Sequence, residues 1–319
     1  MGSEWQLAEK PTIQTLKDMG YTVVTKVEHE ALRDGENQVL FRPHLVDAIQ
    51  RLNGLSDEDA QAAYVDLISK NDNEEWLGIL RGNYSRKVQG QTEHKTIKLI
   101  DFLKPENNTF TVTNQLYVKA EKSRIPDVAV YINGIPVVVI EAKSPINAKD
   151  KTGEAFDQIK QYERDIPRLF FSNCFNILTD GTNCLYGTTG SPSKFYGSWG
   201  DPWPRSEKDF SNELDKGLWS LLEPSRLLDL IAHFIVFEQA EVGKIKKICR
   251  YQQFRAVNKI VSRVVEGKHR EGEVRGSLAY PRVWQVADDG ICGLEVENPS
   301  DRSIPRTGKP QLDGTYRPY

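Results

Sequence analysis

The chain has 319 residues, 39% of them hydrophobic and 27% charged, with a formal net charge of −3. Such values exclude an intrinsically disordered chain and a surface coated with basic residues, and they leave room for one sizeable core plus a second unit. The four cysteines, Cys174, Cys184, Cys249 and Cys292, show no C-x-x-C spacing, and no apolar run reaches membrane-spanning length, so a reduced, cytoplasmic, soluble protein without a zinc site is expected.

Residues 4–19 carry a helical pattern through Leu7, Ile13, Leu16 and Met19 that stops at Gly20, ahead of the strand-like TVVTKV. The stretch from Arg42 to Leu55 is amphipathic, with Leu45, Ile49 and Leu52 on one stripe and a glycine stop. Three strand-like runs follow: KTIKLIDF, TFTVTNQLYVK and DVAVYI. Asn133-Gly134 is a tight-turn signal that joins DVAVYI to PVVVIEAK as a hairpin. A helix is expected over 150–164, with Phe156, Ile159 and Tyr162 in helical register, and then two short strands, CFNILTD and NCLYGTT, around a glycine turn. Residues 188–212, rich in Gly, Pro, Ser and Trp, read as a connector. Residues 219–237 and 244–266 read as helices, the second amphipathic and basic. The outline is an α/β core with a helical annex.

PVVVIEAK ends in Glu141-x-Lys143, and residues i and i+2 of a strand share a face. Across the hairpin, Asp127 comes within reach of Glu141. Two carboxylates at a strand end suit a hard cation such as Mg2+, with the Ala142 carbonyl as a third donor. A lysine beside them can orient a water and stabilise a pentavalent phosphate. An ion pair closing a strand end, with Asp127 as a turn residue after Pro126, fits the bare E-x-K spacing as well.

IPDVAVYINGIPVVVIEAKSP resembles the PD-(D/E)xK nuclease core, and closely that of type I restriction enzyme R subunits. IKLIDFLKPENNTFTVTNQLYV before it and AFDQIKQYERDIPRLFFSNCFNILTDG after it resemble the family's flanking segments, the latter containing its QxxxY helix. The resemblance implies a restriction-endonuclease-like α/β fold, a mixed central sheet flanked by helices. It also implies Mg2+-dependent cleavage of double-stranded DNA in complex with methylation and specificity subunits. Asp127 and Glu141 become metal ligands and Lys143 the catalytic lysine, while Gln158 and Tyr162 match QxxxY and support DNA or the lysine. Tyr162 also fits a core residue with a polar tip. Glu9 matches the upstream acid of such nucleases, although a solvated helix face fits it as readily. Lys149, Lys151, Lys160 and Arg164, near the QxxxY helix, fit phosphate contacts or a solvated face equally.

KICRYQQFRAVNKIVSRV resembles the lead-in to the family's ATP-driven motor, with Gln252 or Gln253 as the adenine-reading glutamine. The phosphate loop G-x-x-x-x-G-K-[ST] is not in this sequence, so ATP, used by the intact family, is not expected to bind productively. Instead, Leu278 to Gly290 admits codons that, read one base later, spell W-H-T-Q-G-S-G-K-S-L-T-M, and LDGTYRPY admits L-M-V-L-T-D-R in the same offset. Residues 278–319 are therefore expected to be an out-of-frame, disordered tail. The resulting partition is a nuclease domain over 1–187, a connector and helix over 188–240, the start of a truncated motor over 241–277, and the tail. A catalytically silent DNA-binding or subunit-docking fragment, and a stand-alone Mg2+ nuclease, are the alternatives.

Overall fold

The computed structural model describes residues 5–144, 151–240 and 243–265, together with the backbone of 283–286 and 292–295. Two compact units are present, Met1–Arg255 and Ala256–Tyr319.

The first unit opens with a π-helical turn, Trp5–Glu9, that leads into α1 (Lys10–Asp18). Gly20, at φ +95°, turns the chain into β1 (Thr22–Val24). The strand is shorter than TVVTKV suggests because Thr25 closes a capping box with Glu28, which starts α2 (Lys26–Ala31). α3 (Arg42–Asn53) has Pro43 in its first turn and ends at Gly54 in the left-handed region, as expected. α4 (Asp57–Leu67) and α5 (Asn73–Leu80) are absent from the expected order. Their N-caps were nonetheless written in the sequence: Ser56 accepts from the Asp59 amide, and Asp72 from the Glu75 amide.

KTIKLIDF is not a sheet strand. Its first residues complete a small hairpin of β2 (Ser85–Lys87) and β3 (His94–Thr96), which the Ile97 N–H extends to the Tyr84 carbonyl at 2.8 Å, and Leu99 and Ile100 then enter the core without a ladder. The central sheet continues with β4 (Phe110–Asn114), β5 (Val128–Ile132) and β6 (Ile135–Ala142). After these come α6 (Lys151–Asp165), α7 (Arg168–Phe171), β7 (Phe175–Thr179), β8 (Cys184–Gly187) and β9 (Gly197–Ser198). The strand order is β1-β4-β5-β6-β7-β8-β9. β1 runs parallel to β4 and β6 parallel to β7, and the remaining pairs are antiparallel. The fold is therefore a mixed sheet flanked by helices, restriction-endonuclease-like as the sequence implies. Residues 188–212 contribute its edge strand, β9.

Every residue of β5 and β6 is buried. Ala129, Tyr131 and Val139 share one cluster with Leu178 and with Ala155, Ile159 and Tyr162 of α6. The Asn133-Gly134 turn takes positive φ at both residues, the geometry of a two-residue hairpin. A register shift at Val130/Tyr131 lies opposite Pro136, which has no N–H to give the ladder.

Residues 219–237 are not one helix. Glu223 and Pro224 divide the segment into α8 (Glu213–Leu222) and α9 (Pro224–His233), because proline is tolerated in a first turn but not in a helix interior. The IVF after Phe234 belongs to β10 (Ile235–Ala240), which pairs with β11 (Gly243–Ile248), so KIKKI is a strand rather than the first turn of a long helix. α10 (Tyr251–Val265) begins in the first unit, and its later residues fall in the second. In that second unit the backbone of β12 (Val283–Val286) pairs antiparallel with β13 (Cys292–Glu295). The rest of the expected tail, and Lys149, lie outside the described residues.

Candidate active site

The last paired rung between β5 and β6 is Val128 opposite Ile140, so the next places Asp127 opposite Glu141. Opposed residues of a ladder share a face, and Lys143 follows Glu141 by two. The three side chains that the sequence singles out thus converge at one strand end, on the face that α6 covers. Asp127 Oδ2 accepts the Ala142 N–H at 2.8 Å. Lys143 Nζ donates to Glu141 Oε1 at 2.5 Å, and the Lys143 backbone N–H donates to the Thr179 carbonyl at 2.8 Å.

Glu141 has no exposed surface. Burial, and then the neighbouring Asp127 charge, push its carboxyl well above the usual range, while Lys143 opposes the shift. Its second oxygen, Oε2, has no hydrogen-bond partner among the described residues. A buried acceptor of this kind is costly unless positive charge meets it. Two carboxylates and a backbone carbonyl are hard oxygen donors that suit Mg2+. Ala142 turns its amide toward Asp127, and its carbonyl addresses the same side, as a strand residue's two polar groups do. The residues present fit a divalent cation. Among the described residues, no group of three or more His, Cys, Asp or Glu side chains is gathered at ligand distance.

Glu9 does not lie on a solvated helix face. It is 5% exposed, and Gln115 Nε2 donates to its Oε2 at 2.8 Å. Gln158 and Tyr162 sit one turn apart on α6, with Gln158 Nε2 donating to the Tyr162 hydroxyl at 2.5 Å. That hydroxyl in turn donates to the Ile125 carbonyl at 3.3 Å. Burial first, and then the Glu141 charge, hold the phenol above its ordinary value. Tyr162 therefore serves both readings, its ring in the core and its hydroxyl beside the acidic pair. Lys151 and Lys160 of the same helix pair with Glu154 and Glu163, and Arg164 is exposed. Gln252 and Gln253 are exposed at the start of α10, where Gln253 Oε1 accepts the Arg250 N–H at 2.8 Å.

Two contributors escape sequence reasoning. Arg124 and Asp165 form an ion pair at 2.5 Å that ties the approach to Asp127 onto the end of α6. Gln115 donates its backbone N–H to the Asp127 carbonyl at 2.8 Å. Neither stands in a motif or at a periodic position, so no local signal marks them.

The family described as type I restriction enzyme R protein N terminus matches residues 1–195. The type I restriction enzyme HindI endonuclease subunit of Haemophilus influenzae is 30% identical over 338 residues, covering 96% of this chain and 32% of that subunit. A Methanocaldococcus jannaschii protein, named provisionally as the type I restriction enzyme MjaVIIIP endonuclease subunit, is 30% identical over 260 residues, 79% of this chain and 25% of that protein. The SsaAORF53P endonuclease subunit of Staphylococcus saprophyticus is 26% identical over 267 residues, 83% of this chain and 27% of its own length. The chain spans about a third or less of the length of these relatives. With the family matched over more than half of its residues, the chain belongs to the type I restriction enzyme R protein N-terminal family.

Proposed function

We propose that this chain is the nuclease part of a type I restriction R subunit and hydrolyses phosphodiester bonds of double-stranded DNA with Mg2+. The observation that carries the reading is Glu141: fully buried, opposite Asp127, bonded to Lys143 through one oxygen and, among the described residues, without a hydrogen-bond partner on the other. Relatives named as endonuclease subunits support it. Asp127, Glu141 and the Ala142 carbonyl would hold the metal, which when bound supplies Lewis-acid charge and a more acidic water. Lys143 presents an ammonium beside Glu141, where it orients the attacking water and meets the charge that grows on the phosphate. Tyr162 and Gln158 hold the α6 side of the site.

Plasmid DNA incubated with the purified chain and Mg2+ tests this. Nicking that a chelator abolishes is expected, with losses of about a hundredfold or more in Asp127→Asn, Glu141→Gln and Lys143→Ala. Parent-rate cleavage in both Glu141→Gln and Lys143→Ala would overturn it.

A second reading, a silent fragment that occupies DNA or partner subunits without cutting, is favoured by the way protein groups already bind Glu141 and Asp127. DNA binding without nicking would select it. Co-purification with methylation and specificity subunits is expected on either of these readings and not for a stand-alone nuclease.

A further inference from the structure

We propose that Gln115 is a positioning residue of the nuclease site, joining Glu9 to Asp127. The proposal rests on the reading of Asp127 and Glu141 as metal ligands. β4 pairs with β5 up to Asn114 opposite Val128, so Gln115 occupies the next rung, opposite Asp127. Asp127 in turn stands opposite Glu141. Gln115 is therefore the outer member of a row that crosses three strands and ends on the acidic pair.

Its backbone is not that of a strand residue. Gln115 has φ +53°, and the only other non-glycine residue at positive φ among those described is Asn133, in the hairpin turn. Asparagine tolerates this region, whereas glutamine gains nothing from it. A strained residue persists only where its surroundings hold it, and such residues concentrate at functional sites. Here the conformation lets one residue make two contacts. The backbone N–H holds the Asp127 carbonyl at 2.8 Å, and the side-chain amide holds the buried Glu9 carboxylate, also at 2.8 Å. Glu9 closes the π-helical turn Trp5–Glu9, an uncommon element that favours functional sites. Gln115 thereby fixes a third carboxylate, drawn from a remote part of the chain, against the strand end that carries Asp127. A partner outside the ligand set can change metal affinity by about ten- to a hundredfold.

Gln115→Asn separates the contacts. Asparagine accepts φ +53° and keeps the backbone bond to Asp127, but its amide is one methylene too short for Glu9. Gln115→Gly keeps only the backbone, and Gln115→Glu replaces the donor with a like charge. Mn2+ binding to the full purified chain, followed by calorimetry or electron paramagnetic resonance, reads the effect without cleavage, and thermal melting reads the fold. The expected result is a loss of Mn2+ affinity of about tenfold in Gln115→Asn and Gln115→Gly and more in Gln115→Glu, with a cooperative melting transition kept in the first two, where relief of the left-handed backbone offsets part of the lost bond to Glu9. Glu9→Gln should lose a similar factor, and Glu9→Gln with Gln115→Asn no more than either alone. Parent Mn2+ affinity in Gln115→Asn and Gln115→Gly, with binding abolished by Glu141→Gln, would overturn the role of Gln115 and leave the nuclease site standing. Mn2+ binding untouched by Glu141→Gln, or no binding by the parent, would overturn both.

Discussion

Tyr162 shows how one residue combines core packing with a hydrogen-bonded polar tip. Its ring fills the cluster between α6 and the sheet, while its hydroxyl lies between Gln158 and the Ile125 carbonyl, close to Glu141. Tyr162→Phe keeps the ring and removes hydrogen bonds, so a loss of only about 0.5–1.5 kcal/mol of stability is expected by thermal melting. Mg2+-dependent nicking, measured on the same preparation, should fall by about tenfold or more if the hydroxyl supports the site. His29 offers a separate test at this scale. It is fully buried, its Nδ1 meets Thr113 Oγ1 at 2.7 Å, and burial, with Arg33 and Lys26 nearby, lowers its pKa from 6.5 to about 4. Between those values the unfolded chain binds the proton more readily. The stability gained from neutral His29 is therefore complete above pH 6.5 and lost as pH falls toward about 4. Denaturant titrations should show this acid slope, worth about 2–3 kcal/mol over the window, flattened in His29→Gln.

The β5–β6 hairpin sets the site, and its turn is more constrained than the Asn-Gly signal alone requires. Asn133 is fully buried, its amide donating to the Leu99 carbonyl and to Asn108, while Phe41 donates its N–H to the Gly134 carbonyl at 2.8 Å. A Cβ on Gly134 would lie 2.5 Å from the Phe41 carbonyl oxygen, on a residue at φ +79°. Gly134→Ala is therefore expected to cost about 2 kcal/mol or more, from left-handed strain and from pushing α3 off the turn. Chemical denaturation would measure it. Gly54, which only ends α3 with open space around it, should lose less on the same change.

Across the first unit, the helices after residue 188 are fastened to the sheet rather than appended to it. The Tyr21 hydroxyl donates to the Leu222 carbonyl at 2.6 Å, and Arg81 donates to the carbonyls of Ile231 and Ile235. Gly217 packs against Cys184 so closely that a Cβ would stand 2.5 Å from it. Leu214, Leu218, Leu221, Leu227, Leu230 and Ile231 are all buried. At about 1.5–3 kcal/mol for each buried side chain, removing them costs about as much as the whole 5–15 kcal/mol margin of an ordinary domain. A chain ending after Arg255 should keep a cooperative melting transition, and one ending after Gly187 should not. Calorimetry of the two would show whether the sheet domain can stop at residue 187.

The hairpin, its Asn-Gly turn, the convergence of Asp127, Glu141 and Lys143, and the face shared by Gln158 and Tyr162 were all legible in the chain. Each depends on a short-range period, two residues in a strand or four in a helix, and such periods survive without tertiary knowledge. Segments whose pattern was ambiguous were decided by their surroundings. KTIKLIDF is apolar enough for a sheet strand but pairs only at its start, and Leu99 and Ile100 find burial without a ladder, while KIKKI has an amphipathic helical reading and becomes a strand against β10. Pro224 and the caps at Thr25, Ser56 and Asp72 were visible signals that an apolar period alone overrides. The burial of Glu9, the left-handed backbone of Gln115 and the Arg124–Asp165 pair belonged to the tertiary structure alone. Their partners lie 106 residues away for Glu9 and 41 for Arg124, and no local period encodes a contact at that distance.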